Sequence, residues 1–310
     1  MRSMRLFLIL YVFSLVSCFK STEEFIPNNE IGDINNLLDK LDANKISTLF
    51  DANKDAFLVT NEKAIVEVPA GSLLDATGKV VTGSVIAEYY IDKGFALELA
   101  TGRPLKSAQE DISKLFSLSL RFKQGNAELS INPASKGIVV YVPYVDQSDV
   151  NTTKLYRWTT ENWTQVIDEQ NIGDFVSGSW DLPAENGTIF GIGYKTTVKQ
   201  TGDYLIGFAK AKSDLIELCV NLPENYSPKN TIAYVVLPNE KLVKTLNFEN
   251  GKFCSKEVAR GSFVKVVTLS DQDGQFLYGE TSYKSSGNVI LTMVPKQKSV
   301  LEIWNLLIEL

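Results

Sequence analysis

Apolar and polar residues alternate with a period of two between residues 64 and 90, which predicts two β-strands joined by turns. In the first strand, Ala64, Val66 and Val68 share one face. The second strand alternates in the same way from Val85 onward. Proline, aspartate and glycine residues between the two strands mark the turns. We expect the first half of the chain to be built around this pair of strands.

The same period returns along most of the chain. It predicts strands at residues 116–122 and 138–142, a short strand at residues 95–99, and a hairpin at residues 155–166 with residues 159–162 as its turn. In the C-terminal part it predicts strands at residues 215–222, 231–237, 241–248, 263–269 and 288–294. Many short strands with frequent turns are typical of β-sandwiches. The sequence therefore predicts an all-β fold, with two or more β-sandwich domains in tandem and short N- and C-terminal helices.

Helical spacing occurs near both ends of the chain. Ile34, Leu37, Leu38 and Leu41 recur at helical intervals, which predicts a short helix docked on the first domain, with a partner-binding helix as the alternative. Residues 300–310 are strongly apolar but too few to span a membrane. They predict a terminal helix packed on a domain, and a docking helix for another protein is the alternative.

The first residues combine the features of an export signal. Arg2 and Arg5 are positive, and residues 6–15 form an apolar run that is too short to cross a bilayer. The sequence LVSC at residues 15–18 resembles the lipobox of bacterial lipoproteins. That resemblance implies cleavage before Cys18 and lipidation of Cys18; an ordinary signal peptide with an incidental cysteine is the alternative. Residues 20–24 resemble the surface-export signal of Bacteroidetes lipoproteins, with a plain polar tether as the alternative.

The sequence VEVPAGSL at residues 66–73, followed by a glycine turn and by TGSV at residues 82–85, resembles the ZU5-like domain. It is also similar to the corresponding part of surface lipoproteins of Bacteroidetes. The likeness covers about residues 45–145 and implies a β-sandwich interaction module without catalytic residues. The C-terminal strands resemble immunoglobulin-like or carboxypeptidase-regulatory-like sandwiches in their pattern alone.

These features divide the 310 residues into five parts. We expect a lipoprotein signal peptide (1–17), a tether and short helix (18–45), a ZU5-like β-sandwich (46–145), a β-hairpin segment (146–200) and a C-terminal immunoglobulin-like β-sandwich with the terminal helix (201–310).

The composition argues against several kinds of catalytic site, metal site and partner. The chain has no histidine, which excludes Ser-His-Asp and Cys-His nucleophiles, an imidazole base and histidine-ligated metals. The net charge of −6 argues against nucleic acid as a partner. Asp51, Asn53 and Asp55 have the spacing that opens an EF-hand loop, but Ala56 stands where that loop needs glycine. We therefore expect a polar turn there, and neither a metal nor a cofactor.

Two groups of residues remain as candidate sites. Tyr156, Trp158 and Trp163 lie around the predicted hairpin, where aromatic rings either stack on a sugar or pack across strands. Cys219 and Cys254 fall on or near predicted strands in an oxidising compartment. They are either joined in a disulfide or buried as two separate thiols.

The sequence thus predicts a lipid-anchored, non-enzymatic cell-envelope protein that acts as an interaction or structural module. Its expected place is the bacterial outer membrane, with the body exposed at the cell surface. Its expected partners are the membrane, through the lipid on Cys18, and a protein or a glycan. One alternative is a glycan-binding surface module that uses exposed aromatics. The other is a hydrolase that uses paired carboxylates, although the Asp and Glu residues form no such motif.

Overall fold

The computed structural model describes residues 32–42, 44–60, 62–143, 152–166, 174–184, 187–211 and 214–310. Within these ranges the fold is all-β with few short helices, which confirms the predicted fold class. The helices are α1 (Ile34–Asp42), α2 (Ala96–Thr101) and α3 (Val300–Ile308). No helix in the described part of the chain has the length and apolar character needed to cross a bilayer.

The strands fall into two groups along the chain. The first group is β1 (Ile46–Asp51), β2 (Ala56–Val59), β3 (Ile65–Val68), β4 (Leu73–Leu74), β5 (Ser84–Asp92), β6 (Asp111–Gln124), β7 (Ala127–Glu128), β8 (Ser130–Ile131), β9 (Ile138–Pro143), β10 (Lys154–Trp158), β11 (Trp163–Gln165), β12 (Asp174–Ala184), β13 (Gly187–Val198) and β14 (Gly202–Lys210). The second group is β15 (Leu215–Asn221), β16 (Thr231–Leu237), β17 (Leu242–Glu249), β18 (Lys252–Ala259), β19 (Phe263–Gln272), β20 (Gln275–Lys284), β21 (Val289–Thr292) and β22 (Lys296–Gln297). We call them the N-terminal unit and the C-terminal unit.

The N-terminal unit is a sandwich of two antiparallel sheets. One sheet has the strand order β1-β5-β6-β14-β10-β11, with β7 also paired to β6, and the other has the order β12-β13-β9-β3-β2. β4 and β8 pair with each other separately. The inner faces of the two large sheets meet in one core, where Val66 and Val140 from one sheet lie in the same buried cluster as Ala87 and Leu118 from the other.

The alternation predicted for the first strand is confirmed in β3. Val66 and Val68 are buried in the core of the sandwich together with Ala64. Ile65 belongs to a separate buried cluster with Tyr141 of β9. Because successive side chains of a strand point to opposite faces, β3 is covered on both sides.

The C-terminal unit is one eight-stranded sheet with the order β21-β15-β18-β17-β16-β19-β20-β22. β17 joins its two halves, because its first residues pair with β16 and its last residues pair with β18. β15 and β21 are parallel, and the other pairs are antiparallel. Side chains from both halves, such as Leu218 and Val266, lie in one buried cluster.

The two units share this second core. Tyr90, Tyr156 and Leu205 of the N-terminal unit are buried in the same cluster as the strands of the C-terminal unit. All three helices add apolar side chains to it: Ile34, Leu37 and Leu41 from α1, Ala96, Leu99 and Ala100 from α2, and Ile303, Trp304 and Leu307 from α3. The terminal helix therefore packs on the body of the protein, as predicted.

α1 packs against both units: it contacts α2 of the N-terminal unit, in line with the helix predicted to dock on the first domain, and it also contacts β19 of the C-terminal unit. The backbone N–H of Ile34 donates to the carbonyl of Lys229 at 3.0 Å, and the Asn36 side chain donates to Asp271 at 3.1 Å. Gly32 (φ +101°) precedes the helix, and a Cβ there would lie 1.9 Å from the carbonyl oxygen of Asp271. The apolar stripe of α1 shows that the helix is packed, but not which unit it packs on.

Residues 95–99 were predicted as a strand, and this prediction is wrong because most of them form α2. Alanine, leucine and glutamate are strong helix formers. The Asp92 carboxylate accepts the backbone N–H of Leu97 at 2.8 Å, which satisfies a donor in the first turn. Gly102 ends the helix in the left-handed conformation. A short apolar run does not by itself distinguish a strand from a buried helix.

The sheets do not divide where the sequence places the domain boundaries. β10 and β11, from the predicted hairpin segment, extend the sheet of β6, and β13 pairs with β9. β14, which opens the predicted C-terminal domain, pairs along its length with β6. The change from one unit to the other therefore falls between Lys210 and Leu215. A strand is placed by its hydrogen-bonded partner, which its position along the chain does not reveal.

Candidate functional site

The predicted hairpin is formed by β10 and β11. Trp158 and Trp163 lie opposite each other across its end, and Tyr156 lies opposite Gln165. The backbone N–H of Thr159 donates to the carbonyl of Asn162 at 3.0 Å and closes the turn, as the sequence predicted. The three candidate aromatic residues are thus brought onto one short piece of sheet.

Two of the three aromatic side chains are buried, so they do not form the sugar-binding platform considered from the sequence. Tyr156 is 1% exposed and Trp163 is 2% exposed. The Trp163 Nε1–H donates to the carbonyl of Pro104 at 3.0 Å, and the Tyr156 hydroxyl donates to Glu110 at 3.2 Å. Burial, reinforced by the Glu110 carboxylate, raises the pKa of Tyr156 above its usual range. Of the two arrangements left open, the structure has cross-strand packing.

Trp158 is half-buried and lies at the edge of this packing. Its ring meets that of Trp163 edge-on, with 5.3 Å between the ring centroids. The guanidinium carbon of Arg103 lies 5.3 Å from the Trp158 ring centroid, within the range of a cation–π contact. Trp158 therefore connects the hairpin to the loop that follows α2.

Arg103 also belongs to a buried charge cluster centred on Asp203 of β14. Arg103 and Arg121 both donate to the Asp203 carboxylate, the latter at 2.8 Å. Burial by itself would raise the pKa of Asp203, but the two guanidinium groups outweigh it and hold the pKa at about 2. The cluster ties the loop after α2 to two neighbouring strands, and its charges are engaged with one another.

The two units meet through backbone hydrogen bonds as well as through the shared core. The N–H of Leu105 donates to the carbonyl of Val243, and the N–H of Lys114 donates to the carbonyl of Lys241, each at 2.9 Å. The Ser113 hydroxyl donates to the carbonyl of Glu240 at 2.8 Å. These contacts fix the turn between β16 and β17 against β6.

A cleft of about 200 Å³ lies beside this contact, and its lining carries both signs of charge. Lys244 forms an ion pair with Asp111 at 2.6 Å and lies 3.9 Å from Glu257. The Ser262 hydroxyl donates to Glu240 at 2.5 Å. Carboxylates that are already held by a lysine or a hydroxyl are poorly prepared for the acid and base roles of a hydrolase.

A second charge cluster lies deeper, where β5, β6 and α2 meet. The ammonium of Lys114 contacts Asp92 at 3.0 Å and Glu98 at 2.5 Å, and the Lys114 and Glu98 side chains are each 1% exposed. Burial raises the pKa of Glu98, although Lys114 acts in the opposite direction. These are paired carboxylates, but their burial closes them to a substrate in solvent. Sequence reasoning missed this cluster; a signal was the lone charge of Lys114 in an apolar strand.

A cavity of about 260 Å³, lined by both apolar and polar side chains, lies on the N-terminal unit next to the hairpin. Its lining includes Arg157, Lys199 and side chains that offer hydroxyl or amide groups, namely Thr159, Thr164, Gln165, Thr197 and Gln200. The Nε of Arg157 is buried and has no hydrogen-bond acceptor among the described residues. The other two guanidinium nitrogens of Arg157 are engaged, because Nη1 donates to the Gln200 side chain and Nη2 donates to the carbonyl of Thr201.

The remaining candidate residues are two cysteines in the fold and one outside it. Cys219 and Cys254 lie opposite each other on β15 and β18 and are joined in a disulfide. Of the two arrangements left open by the sequence, the structure has the bridge. Cys18, the candidate lipidation site, lies outside the described residues, as do the predicted signal peptide and most of the tether.

The segment that begins at Asp51, with the spacing of an EF-hand loop, is a polar turn, as predicted. The Asp51 carboxylate accepts the backbone N–H of Asn53 at 3.0 Å, and Asp55 accepts the N–H of Ala70 at 2.8 Å. Across the part of the chain that the structure describes, no three Asp, Glu, Cys or His side chains are grouped as metal ligands.

Comparison of the sequence with protein-family models and with curated proteins finds no match.

Proposed function

We propose that this protein is a lipid-anchored, non-enzymatic component of the bacterial cell envelope that presents a rigid two-unit β body as an interaction or structural module. The observation that carries the proposal is the shared core: residues of both units and of all three helices are buried in one cluster. Two units joined in this way move as one body, because separating them would expose that core to water.

The state of the charged groups supports a non-enzymatic role. Asp203 is held by two arginines, Asp111 is held by Lys244, and the pair formed by Asp92 and Glu98 is closed to solvent. A hydrolase with paired carboxylates needs both groups to face a substrate. The carboxylates described here hold the structure together instead.

The position of the chain entry fits an anchor. Gly32, the first described residue, lies beside Asp271 at the end of β19. The segment between Cys18 and Gly32 can extend to about 50 Å, at roughly 3.5 Å per residue. A lipid on Cys18 would therefore keep Gly32 within that distance of the membrane, and the multiple acyl chains of a lipoprotein suffice for stable attachment.

The anchor is tested by replacing Cys18→Ser in the producing cell and following membrane fractionation and labelling with a fatty-acid analogue. We expect the label to disappear and the protein to leave the membrane fraction. Cys254→Ser, which removes a cysteine within the fold, should keep the label. Membrane retention and labelling of the Cys18→Ser variant would contradict the anchor.

Surface display and partner binding need separate measurements. Protease treatment of intact cells should degrade the anchored protein, whereas a periplasm-facing protein would survive until the outer membrane is opened. Affinity capture after cross-linking on intact cells should then give a discrete partner with the wild type and lose it with the released Cys18→Ser form. Recovery of no partner, together with turnover of a glycan or peptide substrate, would favour an enzyme.

A glycan-binding module is the second candidate, and the cavity beside the hairpin favours it. Arg157 lines this cavity together with threonine and glutamine side chains and with apolar residues. Sugar hydroxyls suit such a lining, and Trp158 lies on the same hairpin. A glycan array should show binding that Arg157→Ala weakens and that Leu301→Ala, on α3, leaves unchanged. Binding lost equally in both variants, or no binding, would remove this candidate.

A further inference from the structure

The cluster of Lys114, Asp92 and Glu98 differs from an ordinary surface ion pair in its burial and in its second carboxyl group. The Lys114 Nζ lies 3.0 Å from Asp92 Oδ2 and 2.5 Å from Glu98 Oε2. All three side chains are almost fully buried, and the Phe95 ring centroid lies 6.0 Å from Nζ. An amine is thus held against a carboxyl group in a dry, partly aromatic surrounding, with a second carboxyl group in contact.

The charges in this cluster do not balance. Two carboxylates and one ammonium would leave a net negative charge in the interior. Burial raises the pKa of Glu98, which favours its protonated form. Taking charged groups out of water is costly, so a rearrangement that removes charge is favoured here.

We propose that Lys114 and Asp92 become joined by an intramolecular amide bond, with Glu98 as the proton carrier. The Lys114 nitrogen attacks Cγ of Asp92, an Nζ–Cγ bond forms, and one Cγ–Oδ bond breaks. Two protons leave the ammonium nitrogen through Glu98 and depart with the released oxygen as one water molecule. The atoms and charges of an ammonium and a carboxylate thus become a neutral amide and water, and no oxidant, cofactor or other reactant is needed.

The backbone around Asp92 is arranged to support this step. The N–H of Gly94 donates to Oδ1 and the N–H of Leu97 donates to Oδ2, each at 2.8 Å. Donors fixed at a carboxyl group stabilise the negative charge that develops on its oxygen during attack. The fold also holds the amine and the carboxyl group in contact, and intramolecular reactions of well-oriented groups have very high effective concentrations.

The neighbouring pair of Lys123 and Glu88 provides a matched comparison on the same two strands. Its nitrogen–oxygen distance is 2.9 Å, similar to that between Lys114 and Asp92, but both side chains are about one-third exposed. Water keeps such a pair ionised, because the charged forms retain much of their hydration. The reaction should therefore occur at Lys114 and not at Lys123, although the two contacts have almost the same length.

The test is a tryptic peptide map of the full mature protein, denatured, reduced and alkylated before digestion. If the bond has formed, trypsin does not cut at Lys114. The fragment 107–121 then appears joined to the fragment 80–93, with a mass lower than the sum of the two by one water. Cleavage at Lys114, with the fragments 107–114, 115–121 and 80–93 recovered unjoined, would overturn the proposal, and so would a bond at Lys123.

The variant Glu98→Gln tests the proton-transfer role of Glu98 separately from its contact with Lys114. The glutamine side chain in this variant can still contact Lys114 but does not relay a proton, so cross-link formation should slow by about 100-fold or more. Glu88→Gln, at the exposed pair, should leave it unchanged. If Glu98→Gln does not fold, the wild-type map still decides whether the bond exists. A folded Glu98→Gln protein that cross-links as fast as the wild type would show that Glu98 does not carry the proton.

Discussion

Tyr234, on the central strand β16 of the C-terminal unit, donates its hydroxyl hydrogen to the carbonyl of Leu99 in α2 at 3.0 Å. Tyr234 is fully buried, and this burial raises its pKa above the usual range. The carbonyl of Leu99 is one of the last in α2, where no further turn of helix supplies a donor. The Tyr234 side chain, on the sheet of the C-terminal unit, thus supplies a hydrogen-bond donor to the last turn of a helix in the N-terminal unit.

Tyr234→Phe removes this donor and leaves the carbonyl of Leu99 buried without its partner. We expect the free energy of unfolding to fall by about 1–2 kcal/mol, measured by urea denaturation. Tyr283→Phe is the control, because the Tyr283 hydroxyl makes an exposed contact with Ser286 at 3.3 Å. An equal effect of both substitutions would show that the contact between the units does not contribute.

Asp203 should make stability depend on pH in the acidic range. Its pKa is about 2 in the folded protein and about 4 in an unfolded chain, so the ionised form is favoured by folding. Its contribution is fully present above pH 4 and is lost as the pH falls toward 2. Asp203→Asn should lower the free energy of unfolding by about 2 kcal/mol at pH 7 and flatten the acid dependence.

The control for this prediction is Asp214→Asn. Asp214 also pairs with an arginine, Arg260, but its side chain is 71% exposed. Exposed ion pairs contribute little, so this variant should unfold with the wild-type dependence on pH. Denaturation curves at several pH values between 2 and 7 distinguish the two, and identical curves for Asp203→Asn and the wild type would contradict the role given to Asp203.

The disulfide between Cys219 and Cys254 should stabilise the fold, because the loop that it closes restricts the unfolded chain. The two cysteines are 35 residues apart, for which loop closure accounts for about 3–4 kcal/mol. We expect a reductant to shift the midpoint of urea unfolding of the wild type to lower concentration. The double variant Cys219→Ala, Cys254→Ala should unfold at this lower midpoint with or without the reductant. A wild-type midpoint insensitive to reduction would contradict the contribution.

The terminal helix should stabilise the fold through one face. Leu307 is fully buried in the shared core, whereas Leu301 is 63% exposed. Leu307→Ala should lower the free energy of unfolding by about 2–5 kcal/mol, because it leaves a cavity in that core. Leu301→Ala, on the same helix, should change it by less than about 0.5 kcal/mol. If α3 docked another protein through Leu301, binding rather than stability would respond to the second substitution.

The hairpin shows how far sequence reasoning reaches. The alternation and turn residues of 155–166 predicted it correctly, because a hairpin is stabilised by neighbours in the chain. Whether its aromatic rings are buried or exposed was not predictable in the same way. Pro104 and Glu110, which accept the hydrogen bonds of Trp163 and Tyr156, lie 59 and 46 residues earlier. Whether a ring is buried or free depends on such distant segments.

The buried charges show the same limit. Asp92, Glu98 and Lys114 follow no spacing rule, since one lies at the end of a strand, one in a helix and one in the next strand. Their meeting requires α2, which the sequence pattern assigned to a strand. A charged residue in an apolar stretch indicates that a partner exists, because an unpaired buried charge is too costly. It does not indicate which residue that partner is.

Local patterns in the chain were enough to predict the all-β class, most of the strands, the terminal helix and the chemistry that the absence of histidine excludes. These properties follow from periodicity, turn residues and composition, which act over a few residues at a time. The folded arrangement was needed to establish that β14 belongs to the first unit, that α1 packs against both units, and that both units share one core. Those contacts join residues far apart in the chain. The hydrophobic effect is non-directional, so an apolar stripe in the sequence shows that a face is buried but not which element covers it.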